Sequence, residues 1–187
     1  PDQFTGGLGI LQVTAGLQEM LASYGTTVEH KLVLDAQNES FPVPVTRDLG
    51  GIEVREIRAM SYPFFVDVRP DGMNRESPIL ATLQAVTLNW PSPIAVDETV
   101  SADREVTVLL QSSPGSWATS DTNIQPDTDL YPDLGFPLSA ERKPHILAVS
   151  VQGVFESFFK GKQSPLEEID EITGEALNPD AVGTLES

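Results

Sequence analysis

Few side chains in this sequence can do covalent or acid–base chemistry, and their spacing decides which kind. There are two histidines, His30 and His145, far apart in the chain, and no cysteine. The lack of thiols excludes disulfides, thiolate metal sites and cysteine nucleophiles in one step. With no second histidine close to either one, a zinc signature of the HExxH type cannot be written. A serine nucleophile would have to be Ser112, Ser113 or Ser116, with His145 as its base. That chemistry needs nucleophile, base and orienting group in one place. Seryl turns ahead of a proline, here Ser113-Pro114, serve structure far more often than catalysis, so no catalytic residue is assigned. His145, just ahead of a strand-like run, reads as a satisfied edge residue.

Binding is the next possibility. Asp35 and Asp67 each stand near the carboxyl end of a strand-like run, where α/β sheets bind ligands. Neither has a partner carboxylate or metal-ligand spacing beside it, so turn capping is the stronger reading of both. Trp117 lies among Ser113, Pro114 and Ser116. A large rigid aromatic in such a loop can anchor an interface or close the end of a core, and the two readings weigh equally. Asp35, Asp67, Ser113, Ser116 and Trp117 are therefore the candidate binding residues, with no metal and no cofactor implied. Phe155, Phe158 and Phe159, spaced 3 and 4 apart, would form one aromatic patch on a helical turn, more often core than partner site. Gly161-Lys162 has too little glycine for a phosphate loop.

These residues must be held by secondary structure. Leu17, Met20, Leu21 and Tyr24 fall at i, i+3, i+4 and i+7, which predicts a helix over 14–24 closed by Gly25. Val28 to Asp35 reads as a short strand covered on both faces, and Phe41-Pro-Val-Pro44 as an extended loop or sheet edge. Tyr62 to Val68 is β-rich and aromatic, and the turn sequence Arg69-Pro-Asp-Gly72 follows it. Ser77-Pro78 offers an N-cap and a first-turn proline for a short helix. Ala85–Trp90 alternates with period 2, and 106–110 and 146–151 are apolar, β-branched runs. The polar stretch 112–144 is long enough to be functional or mobile. Strands with apolar interiors alternating with a few short helices point to an α/β layer with some parallel pairing.

Charge narrows the partners. The chain has 187 residues and a formal net charge of −17, so nucleic acid, which is bound through Lys/Arg clusters, is excluded as a partner. An anionic leaflet is repelled as well, and no apolar run is long enough to span a bilayer. At 40% apolar residues the chain can bury a core. It starts at Pro1 without a signal-peptide layout, so any anchor is expected outside this segment. The division expected is one α/β domain over 1–160 and an acidic linker or tail over 161–187.

Several pieces in one order carry a family resemblance. They are Leu21-Ala-Ser-Tyr-Gly25, Leu32-Val-Leu-Asp35, Tyr62-Pro-Phe-Phe-Val-Asp-Val68, Pro78-Ile79 with Leu83, Leu109-Leu-Gln-Ser-Ser-Pro114 and Ser116-Trp117. Ile146-Leu-Ala-Val149, Gly153, Phe158-Phe159, Gly161-Lys162 and Ser164-Pro165 complete the order. In it the chain resembles the extracytoplasmic part of the GldG-like, gliding-motility-type ABC-transporter auxiliary proteins. The resemblance implies a Rossmann-like layered sheet related to class I glutamine amidotransferases, with its N-terminal βαβ part ahead of Pro1. It also implies a periplasmic domain anchored to the inner membrane by helices outside this segment, beside ABC permease and ATPase subunits. Amidotransferase chemistry itself needs a cysteine, which is missing.

Three functions stay in play. The first is a non-enzymatic auxiliary domain that binds a partner protein or a transported ligand. The second is a hydrolase or carbohydrate-active enzyme using Asp35, Asp67 or His145, which would need two carboxyls converging in a cleft. The third is a scaffold that oligomerises through an exposed sheet edge.

Overall fold

The computed structural model describes residues 10, 16–48, 50–162 and 172–173, with 43–48 described as backbone. The chain divides into two compact units, Pro1–Gln152 and Gly153–Ser187.

In the first unit the helix α1 runs over Gln18–Ser23. Its stripe behaves as the spacing predicts in part: Met20, Leu21 and Tyr24 are half-buried while Glu19, Ala22 and Ser23 are exposed. Leu17, at 52% exposure, does not join them. Gly25 ends the helix at φ 86° and donates to the Ala22 carbonyl at 3.0 Å. The left-handed conformation is one that glycine adopts without steric cost. Thr14 and Ala15, the start of the expected helix, lie outside the described residues.

Four small sheets follow among the described residues. Strand β1 (Thr26–Val28) pairs with β6 (Ile94–Val96), and β2 (Leu32–Leu34) with β8 (Trp117–Thr119). Strands β3 (Asn38–Asp48), β4 (Glu53–Val68) and β5 (Val86–Asn89) form a three-stranded sheet in that order. The fourth sheet joins β7 (Glu105–Gln111) to β9 (Ile146–Gln152). The layered, strand-rich character with very few helices agrees with the expectation, but the pairing does not. All these ladders are antiparallel, where parallel pairs were expected. Parallel neighbours need crossovers of a dozen or more residues, usually helical, and α1 is the one α-helix among the described residues.

Two further expectations change in detail. The single strand over 28–35 is split, because Glu29–Lys31 leave the ladder and β1 and β2 take different partners. The Ser77-Pro78 helix is only a turn: the Leu80 and Ala81 amides both donate to the Ser77 carbonyl at 3.0 Å, and the chain then leaves the helical path. A few residues do not offset helix nucleation, but the turn suffices to plant Leu80 in the core. The proline-rich segment at 41–44 does lie in a sheet edge, β3, as proline's missing donor requires.

Two apolar clusters meet on β2 and β4. One contains Val33, Val66, Val68, Met73, Leu110 and Leu147; the other contains Leu34, Tyr62, Phe64, Trp117 and Phe136. Neighbours Val33 and Leu34 thus feed opposite faces, which is why Leu32–Leu34 is an unbroken apolar run. Each fully buried large side chain contributes about 1.5–3 kcal/mol. The long segment 112–144 is tied in rather than loose. It supplies β8 and Phe136, and its aspartates cap turns, with Asp121 accepting from the Asn123 amide and Asp127 from the Asp129 and Leu130 amides.

In the second unit Phe158 and Phe159 meet edge to face at 5.2 Å, and the Lys162 ammonium sits 3.3 Å from the Phe158 ring centre. Phe155 is 41% exposed.

Candidate functional site

The β2–β8 ladder holds most of the predicted site residues. Leu34 faces Trp117 across it and both are buried, which fixes what lies at each end. At the inner end, β2 runs into Asp35 and β8 begins just after the turn 113–116. At the outer end stand His30 and Lys31 on one side and Ser120 and Asp121 on the other.

The inner end is a closed polar network. Asp35 is 0% exposed, and its carboxylate accepts from the Ser113 amide (2.7 Å), the Ser113 hydroxyl (2.6 Å) and the Gln37 amide (2.9 Å). Three donors offset the cost of burying the charge. Ser116 is also 0% exposed; its hydroxyl lies 2.6 Å from that of Ser112 and donates to the Lys143 carbonyl at 2.7 Å. Ser112 accepts from the His145 amide at 2.8 Å. The bonds joining His145 to this turn therefore run through its main chain; Ser112 and Ser116 hold segments 112–116 and 143–145 together, and Ser113 ties the turn to Asp35. Trp117, 2% exposed, packs in the core with Leu34 and Phe136.

Asp67 sits apart from this network, on β4, and is 1% exposed. Arg69 donates to its Oδ2, and Oδ1 has no hydrogen-bond partner among the described residues. Gln37 links the two aspartates: its amide donates to Asp35, its Nε2 donates to the Asp67 carbonyl at 2.6 Å, and its own carbonyl accepts from the Asp67 amide at 3.1 Å. Among the described residues no group of three His, Asp or Glu side chains could hold a metal ion.

The open part of the site is the outer end, which sequence reasoning did not reach. A cavity of about 310 Å³ is lined by Val28, Glu29, His30, Lys31, Asp121 and Thr122, among others. A second, of about 160 Å³, is lined by Lys31, Ser120, Ser139, Glu141, Lys143 and His145. Lys31 and Ser120 belong to both walls. The ladder thus brings His30 and His145 to neighbouring cavities although they are far apart in the chain. Lys31 pairs with Glu29 at 3.0 Å and Lys143 with Glu141 at 3.1 Å, and all four side chains are at least 36% exposed. Exposed pairs of this kind contribute little to stability and exchange partners readily. Burial, helped by Lys143, holds the His145 imidazole below its ordinary pKa of 6.5, so it is largely neutral near pH 7 and can donate or accept a hydrogen bond. The larger cavity reaches the lower end of the small-molecule range. Its mixed lining suits a polar ligand or a partner's side chain.

The signal that could have located this groove is the mixed-charge tripeptide Glu29-His-Lys31 interrupting an otherwise apolar run. No curated protein and no solved structure matches the chain. One family does, over nearly its whole length and in line with the order of motifs from Leu21 to Pro165. With residues 2–181 matched, the chain belongs to the family described as ABC-type uncharacterized transport system, an auxiliary component of such transporters.

Proposed function

We propose that this chain is the non-enzymatic, extracytoplasmic domain of an ABC-transporter auxiliary protein. In this reading it is held at the inner membrane by helices outside this segment, and it contacts the permease or ATPase subunits. The observation that carries it is the family match across residues 2–181. Among the described residues no helix is long and apolar enough to cross a membrane, so the anchoring belongs to the proposal. The geometry supports a contact point: Asp35, Ser112, Ser113 and Ser116 are engaged in holding a turn, while the groove around Lys31 and His30 is open. A partner protein or transported ligand docking there would act on a rigid strand pair and pass the contact on.

The Rossmann-like, amidotransferase-like layering that the resemblance implies is part of the same proposal. The described ladders are antiparallel, so any parallel ladder lies elsewhere. A place in gliding motility is its most specific form. The test is co-purification of the intact protein with an ABC permease and ATPase, repeated with K31E. Association with wild type and its weakening by K31E support the reading; a protein that never associates refutes the transport role.

A further inference from the structure

The β3–β4 hairpin extends well past the sheet it belongs to. Strand β5 pairs with β4 only over Phe65–Val68, so residues 53–61 of β4 pair with β3 on one side and with no described strand on the other. Their exposure is two-sided: in 53–61 only Glu56 and Met60 are even half-buried, and Ile57 is 79% exposed. A two-stranded ribbon with both faces in water is marginal by itself. Its two edges are also unlike. Pro42 and Pro44 remove donors from β3, the usual protection of an edge, whereas β4 has no proline between Glu53 and Ser61.

Charge singles out the occupant. In a chain of net charge −17 two copies repel one another, yet this edge reads Glu53-Val-Arg-Glu-Ile-Arg-Ala-Met-Ser61, with two acids balanced by two bases. Two copies pairing antiparallel about a two-fold axis normal to the sheet must place residues of like face opposite each other, so the register is centred on a residue. Centred on Ile57, it sets Glu56 against Arg58 of the other copy, twice, Val54 against Met60, twice, and Ile57 against itself. Centred on Arg55, Glu56 or Arg58 it opposes no acid to a base, and centred on Val54 it opposes Glu53 to Arg55 but pairs only 53–55 of the edge with the other copy's edge. We infer that the β4 edge, Glu53–Ser61, is a self-pairing surface through which two copies of this chain join their sheets. This inference does not depend on the proposed transport role.

The chain has no cysteine, so single introduced thiols report the register. Directly opposed residues lie about 4.5–5.5 Å apart between Cα atoms, within disulfide reach. I57C therefore cross-links into a covalent dimer under mild oxidation. I52C, on an equally open residue (67% exposed), places the two thiols roughly 33 Å apart at about 3.3 Å per residue and does not. By sedimentation the wild-type chain dimerises. E56R and R58E each set like charges opposite one another twice and weaken association about tenfold or more, and the E56R/R58E double variant restores it. These positions are exposed or half-buried, and far-UV circular dichroism verifies that each variant keeps its strands. A wild-type chain that stays monomeric to about 100 μM, where a dissociation constant of about 10 μM would leave most chains paired, with I57C no more reactive than I52C, overturns the inference. Dimerisation indifferent to the charge reversals does the same.

Discussion

Replacing Asp35 tests whether the predicted binding residues are scaffold. Asp35→Asn conserves volume, so its effect isolates hydrogen bonding. Oδ1 accepts from two donors, the Ser113 hydroxyl and the Gln37 amide, and Oδ2 accepts from the Ser113 amide at 2.7 Å. An asparagine satisfies the first pair with its oxygen but then points its NH₂ at the Ser113 N–H. One bond to a charged acceptor is lost, worth about 1.5–3 kcal/mol, and two donors confront each other. The cost is reduced because a buried charge disappears, which leaves an expected destabilisation of about 2–3 kcal/mol. Ser113→Ala removes the hydroxyl's bond to Asp35 and the one it accepts from the Gly115 amide but leaves both carboxylate oxygens with an amide donor, and it costs about 1–2 kcal/mol. Urea unfolding with an unchanged m-value reads both, and Trp117, which begins β8 just beyond the turn, supplies a local fluorescence signal. If Asp35→Asn unfolds within about 0.5 kcal/mol of wild type, the level of an ordinary surface substitution, the scaffold argument fails. Lost partner binding at unchanged stability would make Asp35 a contact residue instead.

Two further outcomes follow from geometry. A Cβ on Gly25 (φ +86°) would lie 2.0 Å from the Ser101 hydroxyl and 3.2 Å from the Asp97 carbonyl, whereas one on Gly16 (φ +73°) meets nothing within 4 Å. Gly25→Ala should cost about 2–4 kcal/mol and Gly16→Ala only about 1–2, and equal thermal shifts would contradict this packing at Gly25. Because His145 has a folded pKa below 6.5, the unfolded chain binds that proton more readily than the folded one. Stability is therefore lost as pH falls through 6.5 and levels off below the folded value. His145→Gln should flatten that part of the profile between pH 7.5 and 5.5, and an unchanged slope would show that the imidazole is not desolvated in its cavity.

The sequence disclosed strands more readily than their partners. The runs at 62–68, 106–110 and 146–151 were legible because burial on one or both faces writes itself into apolar residues. The antiparallel ladders were not, since β2 meets β8 from the far side of the chain and nothing local encodes such a pairing. The outer half of the β3–β4 hairpin escaped for the opposite reason: both faces of residues 53–61 meet water, so no period-2 pattern survives. Asp35 was legible as a turn cap, because aspartate does this often. The groove at Lys31 was not, because His30 and His145 converge only through the fold. Trp117 could be read either way, because its packing partners Leu34 and Phe136 come from distant parts of the chain.

Recovery of an ABC permease and ATPase with the intact protein is the decisive observation for the account. Association in wild type, retained in Ser113→Ala and weakened in Lys31→Glu, is the predicted pattern: the buried turn then holds the fold, and the groove makes the contact. A protein that purifies alone under every membrane-solubilising condition, or one whose association is indifferent to Lys31 and abolished by a still-folded Ser113→Ala, would contradict it.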